Sequence, residues 1–330
     1  MKLLVTGGLG FIGSNFIKHI VENKEIEIIN VDAEFFGSSR SNLSEIKNLD
    51  NYEFVKGNIT NRKLMEKLIS KSDVIINFAA QSHVDRSISD ANPFLVSNIK
   101  GVFTILDILK DQKKKMIQIS TDEVYGTILE GSAIEKDRFN PSSPYSATKA
   151  SAELLINSYV ITYGLDVIIT RCTNNYGKHQ FVEKLIPKTI GLCRQDRKIP
   201  IYGNGNSIRD WIHVQDHCEA IMTVLEKGRS GESYNISASQ EINNLTIAKK
   251  ILKLLDKPED QLQFGEERPG EDVRYSLDST KIQKELGWKP KISFDEGLES
   301  TVNWYMSHDN RWWNHIPEET YSNTPWKNKY

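Results

Sequence analysis

Two short stretches carry the residue types that do chemistry. Ser120-Thr121-Asp122-Glu123-Val124-Tyr125-Gly126 sets a hydroxyl, two adjacent carboxyls and a phenol close together. Pro141-Ser-Ser-Pro-Tyr145-Ser-Ala-Thr-Lys149 follows, with Tyr145 and Lys149 at i, i+4. On a helix that spacing puts both side chains on one face. A phenol beside an ammonium is a proton acceptor, because the cation favours phenolate and is expected to draw the tyrosine pKa down from about 10. Such a pair suffices for hydride transfer. Two further carboxyls supply acid–base capacity that hydride transfer alone does not need. Taken singly, Asp122-Glu123 also fits a solvated turn, and Tyr-x-x-x-Lys arises by chance. Their combination points to catalysis.

The elements around them say what they act on. The apolar run Met116 to Ile119 reads as a short buried strand that delivers the first stretch. At the start of the chain, strand-like Leu3-Leu4-Val5 runs into Thr6-Gly7-Gly8-Leu9-Gly10-Phe11-Ile12-Gly13 and an amphipathic stretch from Ser14 to Val21. Strand, glycine turn and helix form a dinucleotide cradle, though the spacing is GxxGxxG rather than GxGxxG. Gly7 allows the turn, Gly10 lets the backbone approach a pyrophosphate, and Gly13 lets the helix pack close. The helix N-terminus offers free N–H groups to phosphate. The next strand, Ile26 to Val31, ends at Asp32, where a carboxylate can bond the adenosine ribose and repel a 2′-phosphate. This favours NAD over NADP.

Further strands are expected at Tyr52–Val55, Val74–Phe78 and Val167–Arg171, with helices around Asn61–Ser70, Asn92–Leu109 and Ser146–Tyr163. The alternation predicts an α/β fold: a Rossmann-type, doubly wound parallel sheet with a smaller C-terminal α/β substrate-binding domain. The expected division is 1–175 for NAD, with return segments around 208–240, and 176–330 mainly for substrate. Asp32, Asn58, Ser82, Thr121 to Glu123 and Asn174-Asn175 all fall at strand carboxyl ends, where ligands sit in such folds.

Net charge is −2 and the pI about 6.4, so no bulk electrostatics favours nucleic acid or anionic membrane. The N-terminus lacks a signal-peptide pattern, and no stretch has the length of a membrane span. Cys172, Cys193 and Cys218 lack metal-like spacing and suit reduced thiols in a cytoplasmic protein. His179, His213 and His217 have no metal-like companions, so no metal is expected. Trp211 and Trp288 are expected in core or junction packing, and His83 in a supporting role.

With Thr6 to Gly13, Asp32, Ala79-Ala80 and Tyr145-x-x-x-Lys149, the chain resembles the extended short-chain dehydrogenase/reductase family. Within it, Ala79-Ala-Gln-Ser82-His-Val-Asp85-Arg-Ser87, the Ser120–Gly126 stretch, Glu183-Lys184-Leu185-Ile-Pro187, Pro200-Ile-Tyr202-Gly203, Ile208-Arg209-Asp-Trp211 and Arg268-Pro-Gly270 are similar to the dTDP-glucose 4,6-dehydratases. The match runs in order from Met1 to about Tyr305. It implies an NAD-dependent lyase: oxidation at C4 of a nucleotide-activated glucose, loss of water across C5 and C6, and return of the hydride to C6. The product is a 4-keto-6-deoxy sugar of deoxysugar biosynthesis.

By the same resemblance, Tyr145 is the base at the 4-hydroxyl, Lys149 holds the nicotinamide ribose, and Thr121 bonds the C4 oxygen. Glu123 takes the C5 proton. Asp122 is the acid at the C6 hydroxyl, and its pKa is expected to be raised by burial and by Glu123. Gly7, Gly10, Phe11, Ile12, Gly13, Asp32, Asn58, Ile59, Ala79, Ala80 and Ser82 join Tyr145 and Lys149 around NAD. Ser82, Asp85, Thr121, Asn175, Lys184, Leu185, Pro200, Tyr202, Arg209, Asn244, Arg268 and Arg274 are the implied substrate contacts, with Arg209 and Arg274 suited to a diphosphate. The stretches Asn92–Leu109 and Ser146–Tyr163 resemble the family's dimer helices, which pair as a four-helix bundle in a homodimer.

Two departures stand out. The usual Arg-Pro-Gly-His-Asp reads Arg268-Pro-Gly-Glu271-Asp272, which leaves dTDP-glucose and UDP-glucose both open as substrates. A carboxylate near a diphosphate is expected to point away. The segment Ala33 to Arg40 lacks the family's common wording and bears on the adenosine pocket. The tail from Ser307 to Tyr330, with Trp312-Trp313, is outside the match. A nucleotide-sugar 4-epimerase, a UDP-glucuronate decarboxylase and a non-catalytic NAD sensor are the competing readings. Asp122 and Glu123 argue against the first two, and an intact Thr121, Tyr145 and Lys149 against the third.

Overall fold

Alternate residues of the first strand, β1 (Lys2–Thr6), enter opposite cores: Leu3 and Val5 one, Leu4 the other. The same split separates Ile28 from Ile29 and Ile76 from Ile75. Strands buried on both faces read as continuous apolar runs because helices cover a parallel sheet on both sides. The computed structural model describes residues 1–307 and 318–328.

After β1 come α1 (Phe11–Ile20), β2 (Glu27–Asp32), β3 (Tyr52–Lys56), α2 (Arg62–Ser70) and β4 (Val74–Asn77). Then follow α3 (Val84–Ser89), α4 (Asn92–Phe94), α5 (Gly101–Gln112), β5 (Lys115–Thr121), α6 (Pro144–Tyr163) and β6 (Val167–Cys172). The remainder is β7 (Asn174–Tyr176), α7 (Leu185–Arg194), β8 (Ile199–Ile201), β9 (Ile208–His213), α8 (Val214–Lys227), β10 (Ser233–Ile236), β11 (Glu241–Asn243), α9 (Asn244–Leu254), β12 (Leu262–Phe264), α10 (Thr280–Leu286) and α11 (Phe294–Ser307).

The main sheet has seven strands in the order β10-β6-β5-β4-β1-β2-β3, all parallel. This is the expected Rossmann-type α/β fold. Strand order reverses between β1 and β4, which opens a crevice at their carboxyl ends. One core packs α1, α8 and α10 on the sheet, and the other packs α2, α5 and α6. A third cluster joins α7, α9 and α11 to β8 and β9, beside a three-stranded sheet β11-β9-β7 and a β12-β8 pair. Trp211 lies in the third cluster and Trp288 in the first, both buried as expected.

The helix expected over Asn92–Leu109 is interrupted. A π-helical turn, Leu95–Lys100, joins α4 to α5. It turns Asn98 inward, where its amide accepts the Gln81 N–H at 2.8 Å and donates to the Gln81 carbonyl at 3.0 Å and to Thr148 Oγ1 at 2.9 Å. A π-turn at such a point often marks a functional site. Here it pins the chain just after Ala79-Ala80.

In the tail, Tyr321 joins the third cluster and Trp326 stacks edge-on to Tyr202, with ring centres 5.0 Å apart. Trp312 and Trp313 lie outside the described residues. No helix among the described residues is long and apolar enough to cross a membrane.

Candidate active site

The glycine loop is shaped by what surrounds it. Gly7 has φ +70°, and a Cβ there would lie 2.6 Å from the Ala79 backbone nitrogen on neighbouring β4's exit. At Gly13 a Cβ would meet the Gly7 carbonyl at 2.5 Å. No other residue fits either place without moving backbone. Gly10 sits at the N-cap of α1 and its own side contributes no cap, so the first-turn N–H groups of the helix face the crevice. Across the loop, Asp32 accepts the Leu9 N–H at 3.0 Å and the Glu34 N–H at 2.7 Å. Those bonds fix its carboxylate at the crevice wall.

One cleft gathers all the residues expected around the dinucleotide, from Gly7 to Lys149, and with them Thr121, Asp122, Glu123, Asn175 and Lys184. Strand β5 ends by presenting Thr121, whose hydroxyl accepts the Glu123 N–H at 3.3 Å and donates to Asp122 Oδ1 at 3.1 Å. Helix α6 brings Tyr145 and Lys149 to the same wall. Its start is set by a capping box between Ser143 and Ser146, and the Tyr145 N–H donates to Ser87 Oγ at 3.1 Å.

Burial governs the electrostatics. It pushes the Asp122 carboxyl well above the usual range, and the adjacent Glu123 charge adds to it. Burial raises Glu123 as well, and Arg268, Lys184 and Arg209 offset only part of that rise. The two neighbouring carboxyls thus sit in different fields, which is how one site keeps an acid beside a base. The expectation for Tyr145 is corrected. Its phenol is raised well above 10, first by burial and then by the charge of Glu123. Lys149 does not reverse this, because its ammonium donates to the Ile119 carbonyl at 2.6 Å and is itself lowered by burial to about 8.

Several residues expected at the substrate do not line this cleft: Asp85, Leu185, Pro200, Tyr202, Arg209, Asn244, Arg268 and Arg274. Asp85, Tyr202, Arg209 and Arg268 form a buried cluster of their own with Glu271. Contrary to expectation, Glu271 does not point away; it bridges the two arginines. Arg274 stands elsewhere, spending its guanidinium on both Glu241 oxygens at 2.6 Å and on the carbonyls of Ile128 and Gly131. Asn175 lines the cleft, yet its amide is committed to His217 at 2.8 Å and to the Thr173 carbonyl at 2.9 Å. Leu185 opens α7, Pro200 lies in β8 and Asn244 opens α9.

A profile of the GDP-mannose 4,6 dehydratase family matches residues 4–301. The chain belongs to this family. It is 46% identical over 310 residues to the low-salt glycan biosynthesis protein Agl12 of Haloferax volcanii, covering 94% of this chain and all of that one. It is 44% identical to the dTDP-glucose 4,6-dehydratase of Haemophilus influenzae, covering 93% and 98%. Among solved structures, the dTDP-glucose 4,6-dehydratase of Streptomyces venezuelae with NAD and TYD bound superposes with a TM-score of 0.92 at 41% identity, covering 95% and 98%.

This 4,6-dehydratase family member also carries site features that its sequence does not advertise. Ser120 Oγ donates to Glu153 at 2.5 Å, and Arg171 grips the same carboxylate at 2.7 and 2.9 Å while donating to the Tyr125 hydroxyl at 2.6 Å. This buried network braces the carboxyl end of β5 from behind. The sequence signal for it is Glu153 at i, i+4 from Lys149 in α6 and Arg171 as the one charge in β6. At the mouth, Phe36 packs on Phe181 with ring centres 4.8 Å apart, and the Arg86 guanidinium lies 3.5 Å over Phe36. Of these, Phe36 comes from the Ala33–Arg40 segment. Among the described residues no His/Cys/Asp/Glu group has a metal-binding arrangement.

Proposed function

We propose that this protein dehydrates dTDP-glucose to dTDP-4-keto-6-deoxyglucose, with NAD as its resident hydride carrier and UDP-glucose as the competing substrate. The carrying observation is the convergence of Thr121, Asp122 and Glu123 from β5 with Tyr145 and Lys149 from α6 in one cleft. The opposite wall fits a dinucleotide: a glycine turn too tight for a Cβ, free N–H groups of α1, and the Asp32 carboxylate placed for ribose hydroxyls. NAD supplies the acceptor and later the donor of hydride.

The chain's own residues handle the protons. Tyr145 Oη accepts the proton of the sugar 4-hydroxyl. Its raised pKa makes it a poor base unless a cation lies near the phenol, which the positively charged nicotinamide of a bound NAD would supply. Thr121 holds the C4 oxygen. Glu123, whose rise three cations limit, takes the C5 proton, and Asp122, raised well above the usual range by burial, gives its proton to the departing 6-hydroxyl. Lys184 serves the substrate, whose far end lies toward residues 176–330; residues 1–175 with the 208–240 return hold the cofactor.

The protein is further proposed to act as a homodimer in the cytoplasm. Leu95, Val96, Phe103, Leu154 and Ile161 expose large apolar side chains on α4–α6 and the turn between them, a face that a second copy would cover as a four-helix bundle. The three cysteines are unpaired. Incubation with dTDP-glucose and with UDP-glucose, read by the alkaline absorbance of the 4-keto product, tests the activity. Product from dTDP-glucose is expected to form faster. No product from either refutes the reading, and a 4-epimer in its place would mark an epimerase.

A further inference from the structure

Arg209 and Arg268 are cations set back behind the cleft wall, and their field reaches Glu123. Neither is free. Arg209 Nη2 lies 2.5 Å from Glu271 Oε1, and Arg268 Nη2 lies 2.5 Å from Glu271 Oε2. Arg268 Nη1 also meets Asp85 Oδ1 at 3.1 Å, and the Tyr202 hydroxyl donates to Asp85 Oδ2 at 3.1 Å. The Arg209 guanidinium lies 4.4 Å from the centre of the Tyr275 ring. Two guanidiniums face two carboxylates, so the cluster is balanced. All four side chains are nearly out of water, from 5% exposed for Arg209 to 15% for Arg268.

A balanced buried cluster has little positive charge left to attract an anion, yet it holds its guanidiniums in place. Among the described residues, Arg268 Nε is buried without a hydrogen-bond partner. A buried donor left unpaired is costly and is usually matched to something. The Glu271 carboxylate offers two oxygens to two arginines, which is the pattern a phosphate group also offers.

We propose that Glu271 is a built-in counter-ion which the diphosphate of the sugar nucleotide displaces, so that this residue sets how tightly nucleotide is held. The inference rests on the nucleotide-sugar reading above. Glu271 keeps Arg209 and Arg268 aligned in the free protein, and the incoming diphosphate competes with it for the same donors. The affinity of this chain is thereby lowered, which eases release of a product that carries the same diphosphate as the substrate. Glu271 is a positioning and specificity residue; it does not touch the reacting atoms.

The sign of the effect makes the test sharp. Removing one partner of a buried ion network ordinarily weakens a site. Here Glu271→Gln in the full-length holoenzyme is expected to tighten dTDP binding by about tenfold in titration calorimetry, a change of about 1.4 kcal/mol. Glu271→His is expected to move the same way and serves if the glutamine variant is poorly folded. Glu285→Gln frees Arg229 from its own carboxylate on the exposed surface and should leave dTDP affinity unchanged, which separates a local effect from a change in net charge. A crystal structure of the wild-type protein with dTDP should show Glu271 turned away from at least one arginine. Folded Glu271 variants that bind dTDP no more tightly than wild type, or a complex in which Glu271 still bridges both arginines, overturn the proposal and leave the dehydratase reading intact. A wild-type protein that binds neither dTDP nor UDP overturns both.

Discussion

Asp122 has no basic side chain bonded to it. Its only side-chain hydrogen bond is with Thr121, and its Oδ2 is buried without a partner among the described residues. A carboxyl left so keeps its proton to higher pH than an exposed one, and it is also a liability. The unfolded chain releases this proton near pH 4 while the folded chain keeps it to higher pH. Over that window the native state binds more protons, so its stability falls as pH rises. Asp122→Asn should therefore slow water loss by about 10² to 10⁴ while sparing C4 oxidation. It should also be more stable than wild type, with a gap that widens from pH 4 to pH 7. Urea unfolding at both pH values and product analysis check the two halves. Wild-type dehydration by the variant would remove Asp122 from its role.

Residue type and local spacing made Asp122, Glu123, Tyr145 and Lys149 legible, because a strand end and an i, i+4 pair are local geometry. The Tyr145 pKa was not legible. It depends on burial and on Glu123, and neither is visible in a five-residue pattern. The partners of the arginines were not legible for a related reason. Arg268 meets Asp85 across 183 positions, and Arg274 meets Glu241 across 33. Long side chains take partners that only tertiary packing supplies.

Elements place these residues by their ends. Helix α6 must start at one position for Tyr145 and Lys149 to face β5, and three contacts fix that start. Ser143 Oγ accepts the Ser146 N–H at 3.1 Å, Ser146 Oγ accepts the Ser143 N–H at 3.0 Å, and Ser87 takes the Tyr145 N–H. Ser143→Ala removes one of the three and should cost about 1 kcal/mol. A lower urea midpoint at unchanged slope would show it. An unaltered midpoint would mean that Pro144 and Ser87 fix the helix start alone. The strands were legible because apolar runs bounded by glycine and polar ends are unambiguous in a covered sheet. The π-turn before α5 was not, since the amphipathic pattern of Asn92–Leu109 continues through it and only the tertiary bond from Asn98 to Gln81 explains the extra residue.

At the scale of the molecule, the return of β10 to the edge of the main sheet ties the two halves together, since Tyr234 and Ile236 enter the first core. Helices α5 and α6 lie on the opposite side and leave Phe103, Leu154 and Ile161 in water, Ile161 at 85% exposure. Apolar surface of this kind stays soluble when a partner covers it. Leu154→Asp with Ile161→Arg should convert a dimer to a monomer in sedimentation velocity, with the fold retained by circular dichroism. A wild type that sediments as a monomer would refute the assembly.

The three cysteines lead in a practical direction. Cys172, Cys193 and Cys218 are all buried, and burial pushes Cys172 up to about 12 and Cys193 up to about 11. Thiolate is the reactive form, so the native chain is close to silent toward maleimides. A single new thiol at the cleft mouth, through Phe35→Cys where the native side chain is 47% exposed, becomes the one reactive handle on the molecule. A fluorophore carried there would watch nucleotide enter and leave without removal of any native cysteine.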